Sequence, residues 1–375
     1  MYVIGKTGTG KTTLLETLIR QDIEAGRGCA LIDPHGDLVE RIAATIPSHR
    51  ASEIIYLNVP DPAQPFGYNP LLHVSASLRP LVASGLIDVF KKMWADAWGV
   101  RMEHILRNAL LALLDQPKAA LPDILSILNS RPFRLEALAH VENEQVKSFW
   151  RDEFPKYSFR NQADGIAPIQ NKVGAFLADP KLRRILVPES GGGLRLREVM
   201  DRGQVLLVNL SMGRIGTDSA ALLGALIVTS LGSAAFSRAH QAAAVRRPFF
   251  LYVDEFQSFT TLALASMLSE LRKFGVGMVM AHQYLQQLDP DIAHAVLGNA
   301  GTLISFRLGA YDAGLIAKEF EPVFAPVDLL NLPNHHIYLK LMIDGMPSKP
   351  FSATTLPLVD APALRQEHLG QKSGA

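Results

Sequence analysis

Short, wholly apolar runs recur along the chain, and each ends in glycine or a polar side chain before a helical pattern begins. Met1-Tyr2-Val3-Ile4 leads into Gly5, and Cys29-Ala30-Leu31-Ile32 ends in Asp33-Pro34-His35-Gly36. Helical patterns follow over about 11–25 and 38–45, and the run Ile54–Val59 completes a β-α-β-α-β opening. Runs without polar alternation mark strands covered on both faces, as in a parallel sheet. Their tight connections imply right-handed crossovers. From 78 to 190 the period changes to that of helices, over Leu81–Trp98, Met102–Leu114, Leu121–Asn129, Leu135–Phe154 and Gln162–Leu177. Pro117, Pro122, Pro132, Pro155 and Pro180 punctuate them, and Gly191-Gly192-Gly193 closes the block.

Apolar runs then return at Val205–Leu210, Phe249–Val253, Val276–Ala281 and Leu303–Leu308. Asn209, Asp254 with Glu255, and His282 with Gln283 stand at their carboxyl ends, as Asp33 does earlier. In open α/β sheets ligands bind outside those ends, so polar side chains from both halves aim at one rim. The pattern predicts an α/β chain with a mostly parallel, doubly wound sheet, interrupted by an all-helical insertion. The expected parts are 1–77 and 191–356 for one nucleotide-binding domain, 78–190 for the insertion and 357–375 for a polar, mobile tail. Asp344-Gly345, between Ile337–Ile343 and Met346–Ala353, signals a hairpin.

Composition changes this picture little. Apolar residues make up 48% and charged residues 19%, which suits a large core. A net charge of +1 gives no bulk attraction to polyanions, so nucleic acid would have to be gripped by local basic loops. Aromatic and basic residues at the margins of the helical block (Trp94, Trp98, Arg101, Lys147, Trp150, Arg151, Lys156, Arg160) could meet DNA or a protein partner, or be core aromatics beneath a solvated face. A single cysteine, Cys29, suits a reducing compartment. The apolar segment Ala220–Ala235 is shorter than a membrane span needs and is expected as a buried core helix.

The chemistry lies in GKTGTGKT, Gly5 to Thr12. Glycines at 5, 8 and 10 let the backbone curl so that successive N–H groups cradle phosphates, with Thr7, Thr9 and Thr13 alongside. Lys11 supplies a charge for the β- and γ-phosphates, the Thr12 hydroxyl suits Mg²⁺, and the following helix turns its N-terminus to the anion. Strand, glycine loop and helix in this order predict binding of a nucleoside triphosphate. The apolar run FFLYV, 249–253, ends in the second element such a site requires, with Asp254 on the Mg²⁺ shell and Glu255 as general base for water. Arg272 could reach a neighbour's γ-phosphate in a ring or act as a helix C-terminal charge, and Gln283 could sense the γ-phosphate. His35, His335 and His336 show no metal-ligand spacing.

GKTGTGKTTLL, IDPHGDL, FLYVDEF, ELRKFGVGMVMAHQ and NAGTLISFRLG together resemble the HerA/FtsK-type P-loop ATPases. They are most similar to TraG/TraD-like coupling proteins of conjugative type IV secretion, the group with a TraM-recognition region. The resemblance covers nearly all of residues 1–355. It implies a RecA-like motor in a homo-hexameric ring that uses ATP and Mg²⁺ to pump DNA, single- or double-stranded. It also implies relaxosome or secretion-channel partners and a place in the cytoplasm, at the inner face of the bacterial inner membrane. On matching positions, Lys11 and Thr12 bind Mg-ATP, Asp254 and Glu255 hydrolyse it, Arg272 resembles a trans arginine finger and Gln283 a sensor. The helical block looks like the all-alpha domain that meets DNA or relaxosome partners. Coupling proteins usually carry transmembrane helices ahead of the P-loop. Here the loop begins at residue 5, so a missing front segment or a separate anchoring polypeptide is expected. A chromosomal HerA-like translocase, a secretion ATPase acting on protein and a nucleotide-gated adaptor are the alternatives.

Overall fold

The computed structural model describes residues 1–157, 159–188 and 193–358, without the side chains of 159–163. Of the expected tail, residues 359–375 lie outside the described residues, as do Gly191, Gly192 and the side chain of Arg160. The chain divides into two compact units, one of Met1–Tyr56, Glu198–Ser211 and Arg238 onward, the other of Leu57–Arg197 and Met212–Ser237.

The first unit is built on strands β1 (Tyr2–Ile4), β2 (Gly28–Asp33), β3 (Ile54–Asn58), β4 (Val205–Asn209), β5 (Phe249–Val253), β6 (Val276–His282), β7 (Leu303–Ser305), β8 (His336–Lys340) and β11 (Phe351–Thr354). Between β8 and β11 lie the short β9 (Met342–Ile343) and β10 (Met346–Pro347). The sheet order is β11-β8-β7-β1-β6-β5-β2-β4-β3. From β7 to β4 every neighbouring pair is parallel, and β8 and β11 add antiparallel strands at one edge. β1, β2 and β4 are buried at every position, the outcome expected of apolar runs in a sheet covered on both sides.

Helices α1 (Lys11–Glu24) and α2 (Asp37–Ala44) pack their apolar stripes against the sheet, with Leu15, Ile19, Val39 and Ile42 in one cluster with Leu31, Leu207 and Ala281. Two buried acids fix α1. Glu16 pairs with Arg20 and with Arg41 of α2, while Asp22 accepts from the Tyr252 hydroxyl at 2.6 Å and pairs with Arg27 at 2.7 Å. The Asp22–Tyr252 bond ties the helix after the glycine loop to the strand that carries the acids. The hairpin takes the form its turn predicts. Asp344 and Gly345 both have positive φ, 50° and 82°, the conformation a two-residue type I′ turn requires.

The second unit is helical. Helices Arg79–Met93, Val100–Leu114, Phe159–Leu177 and Thr217–Ser237 are its longest, and its boundaries take in Met212–Ser237 as well as 78–190. Thr217–His240 is long and apolar enough to cross a membrane, by length and composition, and 72% of its most apolar window is buried. The single helix expected over Leu135–Phe154 is broken. Arg131–Leu138 stops, and Asn143 restarts the chain by accepting from the N–H groups of Gln145 and Val146 at 2.9 and 3.4 Å. A short amide side chain competes with the helical ladder for nearby N–H groups, which a count of apolar spacing does not register. Trp94 and Trp150 are buried core aromatics, Trp94 stacked on Phe90, whereas Arg101, Arg151 and Lys156 are exposed.

Candidate active site

The carboxyl ends of adjacent parallel strands form a single rim, and the strand order decides which side chains are neighbours on it. Across the rim stand the glycine loop after β1, His282 at the end of β6 with Gln283 after it, Asp254 and Glu255 after β5, Asp33 at the end of β2 and Asn209 at the end of β4. Gln283 is thus interposed between the glycine loop and the acid pair. Strands about 4.8 Å apart put β1 and β5 roughly 10 Å apart, within reach of one intervening glutamine.

The loop is held by its own side chains. Gly8 and Gly10 have φ of 75° and 114°, a region that costs residues with a Cβ of the order of 1–2 kcal/mol. A Cβ on Gly10 would also come within 2.9 Å of the His335 Nδ1. Thr9 is buried, and its hydroxyl donates to the Lys6 carbonyl at 2.7 Å, so it staples the loop. Lys6, Thr7 and Gly8 are exposed at the loop's tip, and Thr12 and Thr13 are half-buried at the start of α1. Lys11 Nζ donates to the Gly5 and Lys6 carbonyls at 2.5 and 3.0 Å. Burial pulls its ammonium below the ordinary lysine value, against the opposing pull of Glu255 and Asp254.

From the loop a chain of hydrogen bonds crosses the rim. The Thr7 hydroxyl donates to Gln283 Oε1 at 2.9 Å, Gln283 Nε2 donates to Glu255 Oε1 at 2.8 Å, and Gln257 Nε2 donates to Glu255 Oε2 at 2.6 Å. Glu255 itself has φ 44° and ψ 50°, a left-handed conformation costly for a residue with a side chain. Asp254 accepts from the Glu255 N–H at 3.0 Å. Burial, reinforced by the charges of Glu255 and Asp33, raises the Asp254 carboxyl to about 6. An anion-binding loop beside a buried acid that lacks a full counter-charge can hold a phosphate chain together with a divalent cation.

Asp33 has a structural task on this rim. Its carboxylate accepts from the N–H groups of His35, Leu38 and Val39 at 2.9–3.0 Å, which caps α2. Arg272 is elsewhere. It lies in a short turn, Leu271–Phe274, just before β6 begins, and its side chain is exposed. Since β6 runs parallel to β1, that is the opposite end of the sheet from the glycine loop of the same chain. There it lines a cavity with Met1, Gly275, Met278 and Met342.

The roles of two residues escaped the sequence reading. Gln257 looks like any polar residue after the acid pair, and only its bond to Glu255 sets it apart. His335 donates its backbone N–H to the Thr9 carbonyl at 2.9 Å, which joins the edge of the sheet to the glycine loop. Its φ of 64° was a signal that sequence does not carry.

His282, on β6 beside β1, is fully buried and shares a 3.1 Å hydrogen bond between Nδ1 and the Tyr2 hydroxyl. Burial lowers its imidazole to about 4 from an ordinary 6.5. The unfolded chain therefore takes up a proton between pH 6.5 and 4 that the folded chain refuses, and folding stability drains away as pH falls through that window. The loss amounts to about 3 kcal/mol. His282→Asn is expected to flatten the acid side of the stability curve, measured by urea unfolding between pH 7 and 4. An unchanged slope would refute the assignment.

Neither a protein-family model nor a curated protein matches the chain by sequence. By structure, the mostly parallel nine-stranded sheet with its helices matches the fold of two solved proteins. It is similar to the unbound bacterial conjugative coupling protein TrwB, with a TM-score of 0.67, 18% identity, 98% of this chain and 86% of that one. TrwB solved with ADP and Mg²⁺ gives 0.66, 18%, 98% and 87%. VirB4 of Thermoanaerobacter pseudethanolicus gives 0.60, 11%, 92% and 87%.

Proposed function

We propose that this chain is an ATP-driven DNA translocase of the TraG/TraD-like coupling group, passing conjugative DNA to a type IV secretion channel. The observation that carries the reading is the hydrogen-bonded path from Thr7 through Gln283 to Glu255. It lies within a fold that matches a conjugative coupling protein along 98% of the chain. A pure nucleotide switch has no need of a base wired to its phosphate loop.

On this reading the loop N–H groups and Lys11 hold the triphosphate, and Thr12 and Asp254 would hold Mg²⁺, as TrwB has been solved with ADP and Mg²⁺. The cation supplies charge neutralisation on the phosphates. Glu255 orients the attacking water and takes its proton on a carboxylate oxygen. Gln283 Nε2, which gives one N–H to Glu255, donates its second N–H to the γ-phosphate, so that loss of phosphate is felt at Glu255. Arg272, at the far end of the sheet, serves the site of the next subunit in a hexameric ring. The helical unit, residues 78–190 within it, meets DNA or relaxosome partners, and the motor works at the cytoplasmic face of the inner membrane.

The test is the ATPase rate with and without single- and double-stranded DNA, alongside the mass of the assembly. Stimulation by DNA in a hexamer is the expected result. Indifference to both DNAs would replace this reading with a secretion ATPase acting on protein or with an adaptor. In the same assay, Lys11→Ala is expected to abolish nucleotide binding, followed with a fluorescent ATP analogue. Binding within a few-fold of the unmodified chain would remove the glycine loop from the site.

A further inference from the structure

The two oxygens of the Glu255 carboxylate are held in different ways. Oε1 accepts from Gln283, which is itself tied to the exposed tip of the glycine loop through Thr7. Oε2 accepts from Gln257, which belongs to the turn that directly follows Glu255. That turn is rigid. Phe256 and Phe259 are fully buried on either side of Gln257, and Ser258 N–H donates to the Glu255 carbonyl at 2.9 Å. Phe259 N–H donates to the Phe256 carbonyl at 3.1 Å, and the Thr260 hydroxyl donates to the Gln257 carbonyl at 3.3 Å. The left-handed backbone of Glu255 bends the chain back so that the residue two positions on faces its side chain.

A carboxylate on a flexible side chain gains a fixed direction only when both of its oxygens are restrained. One restraint here passes through the loop that contacts phosphate, and so changes when nucleotide arrives or leaves. The other passes through a turn held by its own hydrogen bonds and by the buried Phe256 and Phe259, without a bond to the glycine loop. We propose that Gln257 is a positioning residue for Glu255. It anchors Oε2 whatever the nucleotide state, and so leaves Gln283 and Thr7 as the only arm that phosphate moves. Without Gln257 the carboxylate pivots about a single bond, and the water it directs loses alignment. This rests on the assignment of Glu255 as general base.

Gln257→Met is the sharpest variant, because it keeps length and volume, adds no charge and cannot donate to Glu255. Gln257→Ala is its companion, and both are measured in the full chain with ATP, Mg²⁺ and DNA. Each is expected to lower kcat by about 10- to 100-fold with KM for ATP and the melting temperature unchanged. In a Glu255→Gln background, Gln257→Ala is expected to cost almost nothing further, because it acts through the missing carboxylate. Normal kcat in both single variants, or a raised KM with kcat intact, would overturn the proposal while the Glu255 assignment stands. A fully additive loss in the double variant would also overturn it. If Glu255→Gln alone turned over ATP normally, the underlying assignment itself would fall, and the two failures are thereby told apart.

Discussion

Glu255→Gln is expected to bind ATP with nearly unchanged affinity and to turn it over at least about 100-fold more slowly. The two halves of that expectation have separate causes. On the proposed reading affinity comes from the glycine loop and Lys11, whose hydrogen-bond partners are the Gly5 and Lys6 carbonyls rather than Glu255. Turnover comes from a carboxylate able to take a proton from water, and glutamine at the same place cannot. The substitution changes little in volume, and the buried Phe256 that follows anchors the turn in both forms. Trapped ATP is therefore the diagnostic, seen as radiolabelled nucleotide that stays intact on the protein after excess is removed. Hydrolysis within a few-fold of the unmodified rate at saturating Mg-ATP would show that another group does the work.

Asp254→Asn is expected to move stability and activity in opposite directions. In the folded chain burial and the charges of Glu255 and Asp33 disfavour the Asp254 anion and push its carboxyl up to about 6 from an ordinary 3.8. Between those two values the folded state holds a proton that the unfolded state has released, so stability falls as pH rises through the window. At pH 7.5 the ionised acid costs the folded apoprotein about 3 kcal/mol. Asparagine removes that cost and still accepts the Glu255 N–H through its Oδ1. Without nucleotide and with the cation chelated, the variant should be more stable by about that amount at pH 7.5. The advantage should vanish toward pH 4, while Mg-dependent hydrolysis is lost at every pH. A variant less stable than the unmodified chain at pH 7.5 would mean that the acid is already compensated in the apoprotein. His282 acts with the opposite slope over much of the same range, so each contribution shows only when the other is removed.

A buried acid whose anion burial disfavours is the pattern of a binding site, and it supports the proposed role of Asp254 in holding a cation. The left-handed backbone of Glu255, which a freely chosen turn would have avoided, fits the same pattern.

Much of this was legible in the chain. The apolar runs located the strands at Val205, Phe249 and Val276 to within a residue or so, because a strand buried on both faces leaves no room for polar alternation. The glycine loop and the acid pair were legible for a related reason, since each depends on residues adjacent in sequence. The Arg131–Leu138 and Glu144–Ser148 break was not, because a capping bond from one asparagine outweighed a helical period. The roles of Gln257 and His335 were not, because the first rests on the left-handed backbone of Glu255 and the second on that of His335 itself, which neither residue type announces. What the sequence by itself determined is which side chains stand at the ends of strands. Only the tertiary structure decided which of those ends are neighbours. Hydrogen bonding between strands placed β6 between β1 and β5, and so set Gln283, more than 270 residues from Thr7, between the glycine loop and Glu255. It also sent Arg272 to the opposite end of the sheet from that loop, since parallel strands put everything that precedes them on one side and everything that follows them on the other.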